Sequence, residues 1–460
     1  MKTKHFIIAF FTLVLAVINA NANNMLVQNV TTLNDNPTAK TVQVQFDLSW
    51  DNSWRDSINW DAAWIFLKFK DANGVWQHAK LNTNGFQNGS GTSNTVQVTS
   101  DNVGAWVYRD TRGSGTFNST TMQLQWNYGL SGLSKVTGLE VRVFAVEMVY
   151  VPEGGFMTSS TFWAGNINNV GIRDQQGSLL AKNVGYPVLN DRLTPTTKIS
   201  IMGGNKWGEI NGQWNIYRDA IDTINLRIKA NVGIDTNNNG IIDNTTYPTG
   251  FKAFYTYKYE LTEQQYADFL NTLTSSQITP LGIAGVNISV NNNQYFTSTP
   301  NKSCGNSNPT RFFAYADWSG VRPMSFWELQ KAHNGNQGFQ GGNLGRLYWD
   351  YNGYNIRENG LIDVATADAS KTKYNWFFSS MTWPVSNYGI TELVGNAFEP
   401  VMAASNFNFT TTNGDGIIQL DGSNNIKTIW NPNKVIYMEF CQPDSYDARP
   451  FGFRYVRSAE

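Results

Sequence analysis

The stretch ELTEQQYADFLNTL, from Glu260 to Leu273, predicts a helix that begins at Glu263 and ends near Thr272. Thr262 is suited to cap this helix, because its hydroxyl can accept a hydrogen bond from an amide of the first turn. The acidic Glu263 in that turn favours a helix through the helix dipole. Apolar residues recur at helical spacing at Tyr266, Phe269, Leu270 and Leu273. Together with the many short strands described below, this helix indicates the α+β fold class.

A second helix is predicted from about Ser325 to His333, in the stretch SFWELQKAH. Ser325 is suited to cap it, and Phe326, Leu329 and Ala332 lie at the spacing of one helical face. Elsewhere in this part of the chain, coil rich in glycine and asparagine dominates. Such long coil inside a compact domain indicates functional loops or loops held by ions.

Residues 23–147 predict a series of strands that form an antiparallel β-sandwich domain. TVQVQFDLSW, from Thr41 to Trp50, alternates apolar and polar side chains as a half-buried strand does. The segments AAWIFLKFK, VQVTS, TMQLQWNY and LEVRVFAVEMVYV follow, separated by turns. The last strand runs into a second domain, 148–460, without a Pro- or Ser-rich linker. We therefore expect the two domains to pack rigidly.

Four tryptophans are crowded into the segment SWDNSWRDSINWDAAW: Trp50, Trp54, Trp60 and Trp64. Such rings can form a stacking platform for sugars, or they can pack in the core and between domains. We favour packing, because large aromatic side chains are usually buried.

The N-terminus has the pattern of a signal peptide over residues 1–22. Lys2 and Lys4 precede an apolar run from Phe6 to Ile18, and a small-residue cleavage site ends at Ala22. The run is shorter than a bilayer span, which argues against a membrane anchor, and no later segment is apolar enough to cross a membrane. We therefore expect an exported protein, either periplasmic or extracellular at the cell surface.

The composition argues against two classes of partner. Charged residues make up only 15% of the chain and the formal net charge is −1. There is thus no electrostatic reason to expect binding to nucleic acid or to an anionic membrane surface. The 16 tryptophans and the 14% aromatic content suit a β-rich extracellular protein. The oligomeric state stays open.

Five short motifs follow one another in the second domain. They are MVYVPEGGFM (Met148 to Met157), YTYKYELTEQQYADFLN (Tyr255 to Asn271), YADWSGVRPMSFWELQKA (Tyr315 to Ala332), YGITELVGNAFEP (Tyr388 to Pro400) and FGFRYVR (Phe451 to Arg457). In this order they resemble the formylglycine-generating enzyme (sulfatase-modifying factor) domain family, whose members are copper-dependent oxidases. The resemblance implies a C-type-lectin-like topology over residues 148–460.

The resemblance ends where the family's catalytic residues would stand. The family's signature is matched at Tyr388, Gly389, Glu392, Leu393, Gly395, Asn396 and Glu399, and the closing GFR at Gly452, Phe453 and Arg454. The family also has a cysteine pair shortly before that ending, whereas this chain has only Cys441 there. Linear Cu(I) coordination needs two sulfurs, so we do not expect copper and we assign no catalytic residue.

The counts of histidine and cysteine restrict other chemistry. Relatives of this fold that use iron bind it through three histidines, but only His78 and His333 remain once the signal peptide is removed. We expect both to be ordinary surface or hydrogen-bonded residues. Cys304 and Cys441 are the only cysteines, and they could form a disulfide or remain as free thiols.

Calcium is the cofactor that the sequence favours, in a structural role. The segment from Asp235 to Asp243 offers oxygen ligands in the pattern of a hard-cation loop: the side chains of Asp235, Asn237, Asn239 and Asp243 and the carbonyl of Ile241. Thr246 stands where an EF-hand has its bidentate glutamate. A weaker candidate runs from Asn413 to Asp421. The resemblance adds Asn396 and Glu399, near which family domains hold calcium.

These observations lead to two functional hypotheses. The favoured one is a non-catalytic binding or scaffold protein of a bacterial surface or periplasm, with a glycan or a surface protein as partner. The alternative is a divergent oxidoreductase of the same family that uses Cys441.

Overall fold

The computed structural model describes five continuous stretches, residues 25–154, 250–282, 287–305, 308–325 and 452–460. It also describes shorter pieces at 156–158, 172–173, 186–188, 200–201, 248, 328–329, 331–332, 356–357, 360–361, 386, 388–390, 393, 399–402, 414–418 and 435–438.

Nine strands lie between residues 26 and 151. They are β1 (Leu26–Asn36), β2 (Thr41–Arg55), β3 (Asp61–Lys70), β4 (Trp76–Ala79), β5 (Ser90–Gly91), β6 (Asn94–Val98), β7 (Ala105–Arg109), β8 (Gly113–Asn127) and β9 (Glu140–Val151). Each strand segment read from the sequence coincides largely with one of these elements, so those predictions are confirmed; VQVTS, TMQLQWNY and LEVRVFAVEMVYV extend one or two residues beyond the observed strands.

The later described elements are shorter. They are β10 (Phe156–Thr158), β11 (Ile172–Arg173), β12 (Tyr186–Val188), β13 (Ser200–Ile201), β14 (Phe254–Tyr257), α1 (Glu263–Leu270), α2 (Ser275–Leu281), β15 (Ile288–Asn291), β16 (Gln294–Thr297), α3 (Pro309–Ser319), β17 (Arg322–Ser325), β18 (Ile356–Arg357), β19 (Gly360–Leu361), β20 (Glu399–Met402), β21 (Val435–Met438) and β22 (Tyr455–Ser458). The described chain is therefore rich in β-structure, with helices beside several sheets.

Two sheets organise the described residues. A ten-stranded sheet has the order β21-β20-β17-β22-β14-β9-β3-β7-β6, with β4 paired to β3. A four-stranded sheet has the order β1-β2-β8-β5. One apolar core lies between the four-stranded sheet and the β9-β3-β7-β6 part of the large sheet. A second core lies on the other face of the large sheet, against α1 and α3.

Strand β3 explains why both cores can form. Its alternate residues point to opposite faces, so Ala63, Ile65 and Leu67 enter one core while Trp64 and Phe66 enter the other. A strand buried on both faces appears in sequence as a continuous apolar run, and AAWIFL, from Ala62 to Leu67, is such a run.

Strand β9 connects the strands of the first half of the chain to those of the second. Along one edge it pairs with β3, in a register that runs from Asp61↔Val149 to Lys70↔Glu140. On the other edge it pairs with β14, at Met148 to Val151. The strand passes through residues 147 and 148, where we placed the domain boundary, so one sheet continues across that point.

Helix α1 begins where the sequence indicated and ends earlier, at Leu270 rather than near Thr272. The Thr262 hydroxyl accepts a hydrogen bond from the Gln265 amide, and the Gln265 side chain accepts one from the Thr262 amide. This reciprocal capping box satisfies two amides that the helix itself leaves unpaired. Tyr266, Phe269 and Leu270 are buried, as the spacing predicts.

The helix predicted at Ser325 has its expected cap. The Ser325 hydroxyl accepts a hydrogen bond from the Glu328 amide, and the Glu328 carboxylate accepts one from the Ser325 amide. Leu329 and Ala332 are helical and buried. Helix α3 was not predicted, although Asn308 caps it and Pro309 occupies its first turn, a common N-terminal pattern.

Candidate functional site

The residues predicted to bind metal lie mostly outside the described residues. This applies to Asp235, Asn237, Asn239, Ile241, Asp243 and Asn396, and also to Cys441. Glu399 is described only through its backbone, as the first residue of β20. The calcium and copper predictions therefore stay predictions.

The described part of the weaker calcium candidate, residues 414–418, is held by protein groups. Lys80 Nζ donates to the Asp415 carbonyl at 3.0 Å, and Lys68 Nζ donates to the Gly416 carbonyl at 2.6 Å. The Gly414 amide donates to the Asp317 carboxylate. Two ammonium groups thus serve the carbonyls of this turn and fasten it to β3 and to the residue that follows β4.

His78 is buried beneath the same turn and is hydrogen-bonded, in agreement with its predicted role. Its Nε2 lies 2.7 Å from the Val103 carbonyl, so Nε2 carries the proton. Burial, and then the neighbouring charge of Lys68, lower the pKa of His78 well below its ordinary value. The imidazole is therefore neutral at physiological pH and has a structural role here.

The tryptophan cluster packs, as favoured. Trp50, Trp54 and Trp64 are buried. Trp60 is partly exposed, but Tyr150 stacks on it at 4.1 Å between ring centroids and the Arg55 guanidinium lies 4.2 Å from its centroid. Tyr150 and Arg55 thus both pack on the Trp60 ring, which favours a packing role over a sugar platform.

A buried ionic network joins β3, β9 and the residue after β14. Lys258 Nζ lies 2.5 Å from the Glu147 carboxylate and 3.6 Å from that of Asp61, with all three side chains at 2% exposure or less. Burial alone would lower the pKa of Lys258, but the two carboxylates outweigh it and raise the pKa above its ordinary value. Asp61 also accepts from Trp50 and Ser53. This network fixes β9 where the two halves meet.

Cys304 is a free, buried thiol, so of the two alternatives for this residue the free thiol is the one found. Burial, together with the charge of Glu263, raises the pKa of the Cys304 thiol well above its ordinary value. A thiol of this kind is a poor nucleophile and a poor metal ligand, because both roles need the thiolate.

A cavity of about 420 Å³ lies beside β9, and we call it the β9 groove. Its lining combines seven consecutive residues of β9, from Glu140 to Val146, with residues of β1, β3, α1, α3 and β16 and the residue that follows α1. Those other lining residues are Val27, Val30, Phe66, Gln265, Asp268, Asn271, Gln294, Tyr315 and Trp318. Its volume is within the range of small-ligand sites, about 300–1,000 Å³.

The β9 groove follows the edge of the strand. Successive side chains of a strand point to opposite faces, so a cavity on one face would contact only every second residue. Here Phe144 packs with Trp318 in one core, while Val141 and Val143 pack against the other core. Because its lining includes residues from both faces, the groove lies along the edge of the strand, where the backbone of Val141 and Val143 lies.

Two hydrogen bonds show which backbone groups point into the groove. The Tyr150 amide donates to the Trp60 carbonyl, so even-numbered residues of β9 direct their amides and carbonyls toward β3. The Glu147 carbonyl accepts from the Lys258 amide on the opposite edge. By the same alternation Val141, Val143 and Ala145 direct their groups to that opposite edge, where β14 pairs only with Met148 to Val151.

The wall formed by α1 and α3 contributes polar groups. Asp268 is partly exposed to the groove, and one carboxylate oxygen accepts from Gln264 Nε2 at 2.9 Å. Burial raises the pKa of Asp268 to about 6, against smaller opposing effects of Gln264 and Arg142. Trp318 is buried, and its Nε1 has no hydrogen-bond acceptor among the described residues. The groove thus combines apolar walls with a carboxyl group.

No family model matches this chain, and no curated protein or solved structure shows significant similarity to it. The resemblance of residues 148–460 to the formylglycine-generating family therefore depends on the sequence motifs alone. Within the described ranges, no helix has the length and apolar character needed to cross a membrane.

The β9 groove was not predicted from the sequence. Asp268 lies about 200° around the helix from Tyr266, so the helical pattern places it opposite the apolar stripe, where solvent is expected. Only the approach of β9 and β1 turns that position into the wall of a cavity. A charged residue beside buried positions, in YADFL, is a weak signal on its own.

Proposed function

We propose that the protein is an exported, non-catalytic binding or scaffold protein of a bacterial surface or periplasm, and that the β9 groove is its binding site. The ligand would be a glycan or a segment of a partner protein. The observation that carries this proposal is the groove itself. It is a cavity of about 420 Å³ in which a strand edge that no described strand pairs with and a carboxyl group converge among apolar side chains.

The proposed architecture has two parts. The four-stranded sheet lies across a core from β3, β7 and β6, which supports a β-sandwich over residues 23–147. For residues 148–460 we propose the C-type-lectin-like topology that the motifs imply, with structural calcium at Asp235 to Asp243. The shared sheet and the buried Lys258 network favour one rigid body, which suits a scaffold.

A groove-filling variant tests the binding role. In Val30→Trp, a larger side chain would enter the β9 groove from β1, where Val30 is 37% exposed. Val290→Trp is the matched control, because Val290 is also exposed but lies outside the groove lining. Glycan and peptide arrays probed with the full mature chain should give ligands that Val30→Trp loses and Val290→Trp keeps. Ligands kept by both variants would show that the groove is not the site.

The oxidoreductase alternative is tested by copper and oxygen. We expect the reduced protein to bind no stoichiometric Cu(I) and to consume no oxygen in the presence of a cysteine-containing peptide. Copper bound at one equivalent, with oxygen consumption that Cys441→Ala abolishes, would overturn the non-catalytic proposal in favour of the alternative.

A further inference from the structure

The outer edge of β9 is a row of backbone groups within the β9 groove. Val141, Val143 and Ala145 each direct one amide and one carbonyl toward it, and no described strand pairs with them. Unpaired strand edges are templates for another strand, and proteins use such edges to bind extended peptides. With a rise of about 3.4 Å per residue, the edge from Glu140 to Val146 is roughly 20 Å long.

The groove walls show which side chains an added strand would present. Side chains of such a strand alternate between the two faces of the sheet. On one face they would meet Val27 of β1, which packs against the core between the sheets. On the other face they would meet Asp268 and Trp318, on the side of the helices. The groove therefore fits a segment that alternates apolar residues with residues able to approach a carboxylate.

The charges of the groove favour a basic side chain on the helix side. The Arg142 guanidinium has only a minor effect on the pKa of Asp268; it is paired with Glu140 at 2.9 Å and lies over the Trp76 ring. Asp268 has a neutral amide as its hydrogen-bond donor. Its carboxylate is thus the charge for which the described groove has no hydrogen-bonded cation.

We propose that the β9 groove binds an extended peptide segment of a partner protein, which adds as a strand to the outer edge of β9 and places a lysine or arginine beside Asp268. This inference rests on the proposed binding function and names its ligand class. Main-chain hydrogen bonds to Val141, Val143 and Ala145 hold the segment, and the contacts with Val27 and Asp268 select its sequence.

The probe is a blocked, fluorescently labelled hexapeptide that alternates valine with threonine and carries one lysine in place of a central threonine. Fluorescence polarisation with the full mature chain measures its affinity. Two N-methylated versions carry the methyl groups on alternate residues, in opposite phase. One phase should lose binding at least tenfold and the other should bind like the parent, because only every second amide of a strand faces its partner.

A double-mutant cycle tests the charge pair. Asp268→Asn and the replacement of the peptide lysine by norleucine should each weaken binding about tenfold, and the two changes together should cost little more than either alone. Val30→Trp should abolish binding, while Val290→Trp should not. In hydrogen exchange, the bound peptide should protect residues 141–145 of β9 and leave the interior strand β8 unchanged.

Equal binding of both N-methylated peptides, additive effects in the cycle, or exchange at residues 141–145 that the peptide does not alter would each overturn the inference. If the hexapeptide does not bind but a glycan from the array protects the same amides, the peptide inference fails and the proposed binding function stands. Oxygen consumption that depends on Cys441 would instead refute the proposed function, whatever the peptide does.

Discussion

The charge of Asp268 provides a quantitative test of the groove. The pKa of this carboxyl is raised to about 6 by burial, against about 4 in an unfolded chain. The folded protein therefore holds the proton more tightly than the unfolded chain, and ionisation destabilises the fold. Each unit of difference between the folded and unfolded pKa is worth about 1.4 kcal/mol of folding stability, so the full effect on stability is at most about 3 kcal/mol. Because Asp268 is partly exposed and solvent screens its charge, we expect its ionisation to destabilise the fold by about 1–2 kcal/mol.

The sign of the effect sets the pH window. The stabilising contribution of the protonated carboxyl is complete below pH of about 4 and is lost as the pH rises through about 6. Asp268→Asn keeps the shape and stays neutral, so it should match the wild type at pH 4 and exceed it by about 1–2 kcal/mol at pH 8. Urea unfolding followed by tryptophan fluorescence at five pH values measures this difference. A difference that stays constant from pH 4 to pH 8 would refute the raised pKa.

Three further predictions concern stability; the first two use the same urea unfolding assay and the third uses thermal unfolding. Gly416→Ala should lower the free energy of unfolding by about 1–3 kcal/mol more than Gly74→Ala does. Both glycines have positive φ, so the backbone strain is similar, but only at Gly416 would the added methyl group clash with the His78 ring. Lys258→Met should cost about 3–5 kcal/mol, since it leaves two buried carboxylates without their cation, and a loss below about 1 kcal/mol would contradict this. Calcium should raise the melting temperature over EDTA-treated protein, and Asp235→Ala should remove that rise; no shift would exclude the ion.

Local sequence signals were sufficient for many of the described elements. Alternation in TVQVQFDLSW and the continuous apolar run in AAWIFLKFK placed β2 and β3. The threonine and serine caps placed the starts of α1 and of the helix after Ser325, because a capping box is a short-range arrangement of four residues. Helix α3 was missed although Asn308 and Pro309 have the same kind of signal.

The candidate site could not be predicted in this way, because it is made by contacts between distant segments. The groove exists because β14 pairs with β9 at Met148 to Val151 and the described strands leave the preceding residues of that edge unpaired. Nothing in LEVRVFAVEMVYV indicates where the partner strand stops. Asp268 likewise has its raised pKa only because other elements surround it.

A strand edge that is not paired within its own sheet normally needs protection against unwanted pairing with another strand. The charged pair of Glu140 and Arg142 at the start of β9 is one such protection, and the flanking walls of β1 and α1 limit access to a single chain. In the middle of the edge, the side chains of Val141, Val143 and Ala145 are apolar and pack on one face, against the core between the sheets. This charged pair, combined with backbone groups that no described strand pairs with, is the arrangement expected of an edge that admits one extended segment. We therefore interpret the open edge of β9 as a recognition element and regard its walls as the source of its selectivity.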